Sequence, residues 1–319
     1  MKNVLISLLL LAISSNSAAE MTTISDAYAL HEKGLSSEAV TLLETIADYP
    51  KAQLALAEIL EGTDLDEASD WIEKALDSAP QDPAVHFQLG AIRGRQAQNA
   101  TFSALRLARQ SKAAFEKAVE LDPDNPKYLN GLIQFHLSAP SIAGGDLDEA
   151  ERLAVVLEEM DPVSGVVAQS SIAAARDEGE RALKILETGL TRYGASPILE
   201  FRAGMLCQEQ ERYDEAFKYL DRASQHTTTA DPTTALSALY QVGRTAVISK
   251  QNPQQGIDAL EQYIAEAPTD EELVPKPWAE YRLALLYEQV GRSDEATALL
   301  LKLQNTPDAR LRKEVRSKI

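Results

Sequence analysis

The stretch AGGDLDEAERLA, residues 143–154, repeats the pentapeptide DLDEA of EGTDLDEASDWI, residues 61–72. In both copies a glycine stands before an aspartate, a glutamate follows three residues after it, and an alanine comes next. That pattern is a helix start. An N-cap Asp side chain accepts hydrogen bonds from the backbone N–H groups of the first turn, and a Glu three residues on can reach back to the cap's own N–H. Asp64 and Asp146 are then caps, Glu67 and Glu149 complete the boxes, and Ala68 and Ala150 open an apolar face. A calcium loop would need oxygen ligands at fixed positions through about 12 residues, and neither copy supplies them.

Working outward, looser copies appear as LSSEAVTLL (35–43), YDEAFKYL (213–220) and SDEATALL (293–300), with weaker ones at GERALKIL (179–186) and QQGIDAL (254–260). The small residue after each start falls at Ala39, Ala68, Ser111, Ala150, Ala182, Ala216, Gly256 and Ala296, with gaps of 29, 43, 39, 32, 34, 40 and 40 residues. Four residues later most units place a larger apolar side chain (Leu43, Ile72, Phe115, Leu186, Leu220, Leu260, Leu300), and three further on another, such as Ala75, Ala118 or Leu157. This is one stripe of an amphipathic helix. Pro80, Pro123, Pro162 and Pro268 each fall 12 residues after the small residue, where a ring without an N–H ends the helix.

Upstream of each start runs a second helical stripe: Glu200, Ala203, Gly204 and Cys207 before one, and Glu280, Leu283, Ala284 and Tyr287 before another. Each unit is therefore expected to be a helix hairpin, with small residues where the two helices cross.

This spacing resembles the tetratricopeptide repeat, whose period is about 34 residues. YRLALLYEQVGRSDEATALL (281–300) and FQLGAIRG (87–94) followed by AAFEKAVELDPDNP (113–126) are similar to its signature. The resemblance, to tetratricopeptide proteins of an exported bacterial type, implies an all-α fold: a right-handed superhelical array of about eight hairpins over residues 20–305. Two units depart from the pattern by insertions, GRQAQNATFSALRLARQ (94–110) and LSAPSIAGGD (137–146). Residues 306–319 are expected to be a polar capping helix, with Thr306 as cap and Pro307 in the first turn.

The N-terminus reads separately. MKNVLISLLLLAISSNSAAE has one Lys, an apolar run from Val4 to Ile13 and small residues ending in Ala18 and Ala19, the pattern of a secretory signal, residues 1–19, cleaved after Ala19. No segment approaches the ~20 apolar residues of a membrane span. The expected location is the periplasm or the exterior.

Composition narrows the function. The formal net charge is −18, made one unit more negative by loss of Lys2, and argues against nucleic acid as a partner. Residues 20–92 hold 15 acids and 3 bases, whereas residues 93–117 reverse the sign with Arg93, Arg95, Arg106, Arg109, Lys112 and Lys117 against Glu116 alone. Two readings of that segment are open: it offsets neighbouring acids, or it docks an acidic segment or lipid headgroup.

The motifs of zinc proteases, thiol redox proteins, serine hydrolases and phosphate-binding loops are absent. His31, His86, His136 and His226 stand singly, so no metal, cofactor or catalytic residue is assigned. Ser224, His226 and Asp231 share one loop, but sequence proximity alone makes no triad. The single Cys207 forbids an internal disulfide and reads as a small buried residue.

The remaining candidates are on the first helices, which line the concave side of stacked hairpins. Off the packing stripe lie Ile198, Phe201, Met205 and Gln208; Tyr240 and Arg244; and Trp278, Tyr281, Leu285 and Glu288. Aromatics, Met and Arg are enriched where interfaces concentrate their binding energy. They line a groove or pack against the next repeat, and periodicity leaves that choice open. The expectation is a non-enzymatic scaffold or adaptor for a protein or peptide, with no oligomeric state implied. The alternative is a binder of a glycan or lipid fragment in the groove or at residues 93–117.

Overall fold

In the computed structural model, which describes residues 19–226, 232–268 and 273–319, every small residue that marks a unit is buried. Ala39, Ala68, Ser111, Ala150, Ala182 and Ala216 have no exposed surface. A residue without bulk lets two helix backbones approach, and the larger side chain one turn later fills the space beside the crossing. Leu43, Ile72, Leu186, Leu220 and Leu260 do so, each buried to 1% exposure or less. Burying such a side chain contributes about 1.5–3 kcal/mol.

The described residues hold seventeen α-helices, one 3-10 turn and no strand. Residues 1–18, where the secretory signal is read, lie outside them. The chain divides into two compact units, residues 1–161 and 162–319.

The first unit contains four hairpins: α1 (19–31) with α2 (Ser36–Glu44), α3 (Pro50–Leu60) with α4 (Leu65–Ser78), α5 (Pro83–Asn99) with α6 (Ala104–Leu121), and α7 (Pro126–Ser138) with α8 (Leu147–Met160). The second contains α9 (Pro162–Ala175) with α10 (Gly179–Tyr193), α11 (Pro197–Glu209) with α12 (Tyr213–Ser224), α13 (Pro232–Ser249) with α14 (Pro253–Glu266), and α15 (Lys276–Gln289) with α16 (Ser293–Leu303). The single helix α17 (Ala309–Arg316) follows them.

Caps and prolines set these boundaries. Helices α4, α6, α8 and α14 each end two residues before their proline, as the spacing predicts. Prolines also begin helices: Pro50, Pro83, Pro126, Pro162, Pro197 and Pro232 are the first residues of α3, α5, α7, α9, α11 and α13. A first helical residue has no intrahelical partner for its N–H, so proline loses nothing there.

Four of the eight hairpin turns close alike. Gly34, Asp177, Glu211 and Gly291 take positive φ, and the next residue's N–H donates to the carbonyl five back, as in Arg212 to Cys207 at 2.8 Å and Arg292 to Tyr287 at 2.8 Å.

Asp64 and Asp146 cap α4 and α8 as expected, accepting from the N–H groups of Glu67 (3.0 Å) and of Asp148 and Glu149 (2.9 and 3.2 Å). The reciprocal half of the box is a correction. Glu67 instead accepts from Trp71 Nε1 at 3.4 Å, and Glu149 pairs with Arg152. In α12 and α16 the corresponding Glu215 and Glu295 pair with Arg212 and Arg292 at the cap positions. A guanidinium offers a carboxylate two charge-assisted bonds, more than one backbone N–H can.

The C-terminal helix also departs from expectation. Its cap is Asp308, which accepts from Arg310 and Leu311 N–H at 2.8 and 3.0 Å, two residues beyond Thr306.

The first insertion makes no long loop. In the other seven second helices the small residue is the fourth of the helix, whereas in α6 Ser111 is the eighth. The insertion has added one turn, Ala104–Leu107, and left only residues 100–103 outside helix. Ser111 Oγ donates to Gly90 O at 2.7 Å across the crossing. The second insertion forms the 3-10 turn Ser141–Ala143 between α7 and α8, followed by Gly144 at φ 101°.

Candidate functional site

In the second unit, the first helices α11, α13 and α15 stand next to one another, joined by polar side chains. Gln208 on α11, itself buried, donates to Thr245 Oγ1 on α13 at 2.6 Å and accepts from the Arg244 guanidinium. Arg244 also donates to Gln241 at 3.3 Å. From α15, the Arg282 guanidinium lies 4.9 Å over the Tyr240 ring and 5.7 Å from the Trp278 ring, and donates to Trp278 O at 3.4 Å. Neither Arg244 nor Arg282 has a carboxylate partner among the described residues.

Burial, joined by the positive charge of Arg244, lowers the Arg282 pKa, while the Tyr240 hydroxyl opposes the shift. Burial in turn raises the Tyr240 pKa. Two guanidinium groups thus stand near each other with only neutral acceptors and aromatic faces around them. An anionic group placed there would be attracted by both.

The groove candidates divide by surroundings. Tyr240 is buried, its ring 5.6 Å from Tyr263. Ile198, Phe201 and Met205 are half-buried, with Phe201 packed on the core. Trp278, Tyr281 and Leu285 belong to a small apolar cluster with Leu300, Leu303, Leu311 and Val315, so the chain's own α17 covers them. Trp278 Nε1 donates to Asp308 at 2.8 Å, fixing the indole to the cap of that helix. Glu288 is exposed. Arg282 was not among the sequence candidates. Its signal was its position one turn after Trp278, on a helix face where no acid stands to answer it.

The basic residues of the first unit also divide. Arg93 pairs with Glu73 and donates to Ser69 Oγ at 2.8 Å, and Arg95 reaches Glu61 at 3.4 Å. Lys112 pairs with Glu116 at 3.6 Å and Lys117 with Glu120 at 2.8 Å. Among the described residues Arg106 donates only to Gln110 at 2.9 Å, and Arg109 only to the carbonyl of Ile142 at 3.4 Å. A cleft of about 770 Å³ lies between the α4 cap and the α5–α6 turn, lined by Asp64, Asp66, Arg93, Asn99 and Arg106 among others.

These hairpins, with small residues at each crossing and capped turns between, can be set beside known proteins. Residues 101–125 match the tetratricopeptide repeat family model. The fold is of the tetratricopeptide-repeat type. The APC/C hetero-tetramer Cut9-Hcn1 aligns over 88% of this chain with a TM-score of 0.51 and 12% identity, and this chain spans 52%, about half, of that one. A monomeric mutant of IFIT1 solved with m7Gppp-AAAA aligns over 92% of this chain and 70% of its own length, with a TM-score of 0.51 and 16% identity. A thermophilic TPR protein of Thermus thermophilus aligns over 59% of this chain and 98% of its own, at 14% identity and a TM-score of 0.49. At such identities the likeness is one of tetratricopeptide fold. No curated protein matches the sequence.

Among the described residues no three His, Cys, Asp or Glu side chains are grouped to hold a metal. His226 sits 3.1 Å from the buried Glu200, which Arg222 also approaches at 3.4 Å, and Asp231 of the same loop lies outside the described residues. Among the described residues no helix is long and apolar enough to cross a membrane.

Proposed function

We propose that the protein is a non-catalytic scaffold that binds a polypeptide segment along α11, α13 and α15, with a carboxylate of that segment held between Arg244 and Arg282. The observation that carries this reading is the pair of guanidinium groups without a carboxylate partner among the described residues, in a chain with 49 acidic residues against 31 basic ones. In so acidic a protein a half-buried arginine left unpaired is costly, and an incoming carboxylate would satisfy both groups. The half-buried Phe201 and Met205 on α11 supply adjoining apolar surface for the same segment. Repeat folds of this kind present such faces on rigid helices, so the bound segment alone must be ordered.

The apolar run Val4–Ile13 and the small residues after it support export and work within a cell-envelope assembly. N-terminal sequencing of the natural protein is expected to begin at Glu20, and retention of Met1 would remove this part of the proposal.

The binding test uses fluorescence anisotropy with a displayed-library peptide selected on the full protein. Removal of one charge-assisted pair costs about tenfold or more in affinity, so Arg244→Gln and Arg282→Gln should each weaken the peptide by about that factor, and a melting scan must show that both variants fold. Unchanged affinity in both variants would overturn the reading. Binding of a glycan or lipid fragment by the wild-type protein, with no peptide selected, would replace it with a non-protein ligand.

A further inference from the structure

The two insertions that break the repeat pattern meet in space. The turn added to α6 carries Leu105 and Arg106, and the next turns place Arg109, Gln110 and Ala113 on the same face. Phe102, in the short connection before α6, is fully exposed. Together these six residues line a shallow depression of about 520 Å³, walled mainly by apolar surface. At its edge the Arg109 guanidinium donates to the carbonyl of Ile142, in the 3-10 turn of the other insertion, and the Ile142 side chain is 72% exposed. Neither insertion is needed to continue the hairpin array, since the other hairpins cross without them. Both spend large apolar side chains on the surface.

Charge identifies what fits there. Arg93, Arg95, Lys112 and Lys117 all pair with carboxylates, while Arg106 and Arg109 have none among the described residues. The acids outnumber the bases by 49 to 31, and Asp64, Asp66 and Glu73 line the neighbouring cleft with Arg106, yet among the described residues none of them pairs with it.

We propose that this face of α6 binds a partner polypeptide through a segment bearing two carboxylates, one for each of Arg106 and Arg109, and an apolar side chain for the depression beside Phe102 and Leu105. The two arginines are three residues apart on a helix, so their side chains leave from points about 5–6 Å apart. That span matches acidic residues three or four apart on a partner helix, or two apart on an extended strand, where alternate side chains share a face. An exposed phenylalanine lining one depression with two arginines is the composition of an interface centre. An anionic bilayer is the poorer fit. Stable attachment of that kind uses clusters of about four to eight bases, and the net charge of −18 would repel such a surface.

The test is selection of a phage-displayed random peptide library on the full chain, with counter-selection on an Arg106→Glu/Arg109→Glu variant whose helical spectrum and melting match the wild type. Selected peptides are expected to carry Asp or Glu pairs at the spacings above beside a Leu, Ile or Phe, and to lose about tenfold or more in affinity to that variant and to Phe102→Ser. Arg282→Gln should leave them bound, which separates this surface from the one on α13 and α15. Absence of acidic enrichment, or equal capture by the Glu variant, overturns the proposal. So does Phe102-dependent sedimentation with phosphatidylglycerol vesicles when no peptide is selected.

Discussion

A Cβ built on Gly256 of α14 would lie 2.4 Å from the Ala246 methyl of α13 and 2.9 Å from a Leu286 methyl of α15. Two helices meet there backbone to backbone, and glycine is what the spacing allows. Gly256→Ala should therefore destabilise the second unit by about 1–3 kcal/mol, the usual cost of overpacking a filled core. Urea unfolding checks it, and a variant at least as stable as the wild type would show that the helices separate without penalty.

Cys207 is fully buried on α11, and burial pushes its thiol up to about 11. The thiolate is the reactive form, so at mildly alkaline pH the folded protein presents few nucleophilic sulfurs. Ellman's reagent should leave Cys207 unmodified in buffer and titrate one thiol in denaturant. Rapid reaction of the native chain would contradict the packing of α11.

His136 is 3% exposed and its Nδ1 has no hydrogen-bond partner among the described residues. Burial, and Lys112 beside it, lower its pKa below the usual 6.5, against the weaker pull of Glu149, Asp146 and Glu116. On acidification the unfolded chain takes up the proton first, so stability is complete above the unfolded pKa and falls as pH drops below it. Melting temperature should decline on going from neutral to mildly acid pH, and His136→Gln should flatten that slope. Asp146, held low by the N–H groups of Glu149 and Asp148, and Glu149, held low by Arg152, add their own loss only at more acid pH. An unchanged slope in the variant would assign the effect to other groups.

Tyr281 of the last hairpin and Leu311 of α17 belong to one apolar cluster. Tyr281→Ala should cost about 3 kcal/mol and Leu311→Ala about 2–5 kcal/mol, typical of large buried side chains. Because a terminal repeat can open separately from the rest of an array, hydrogen exchange should show the loss first in α15, α16 and α17. Exchange that rises evenly along the second unit would mean the end is not a separable element.

Much of the architecture was legible in the order of residues. The eight small residues mark crossings because helix period and crossing geometry are local properties, set by which side chains share a face within a turn or two. The cap aspartates and stopping prolines were legible for the same reason. The glutamate of the capping box was not, because the N–H groups of Asp64 and Asp146 are taken by the carbonyls of Leu60 and His136, and the carboxylates turn to Trp71 and Arg152 instead. Of the residues that form the proposed surface on α11, α13 and α15, Tyr240 and Arg244 stood out in the sequence, while Arg282 did not.

By itself, then, the sequence determined an all-helical chain of hairpins, where the small residue of each crossing falls, and that residues 93–117 reverse the charge. Only tertiary structure decided that α17 covers Trp278, Tyr281 and Leu285, that Arg282 reaches over Tyr240 from the next hairpin, and that Arg109 and Ile142 bring the two insertions together. Those contacts join residues some 30 to 40 positions apart, whose meeting depends on how neighbouring hairpins pack rather than on the period of any single helix.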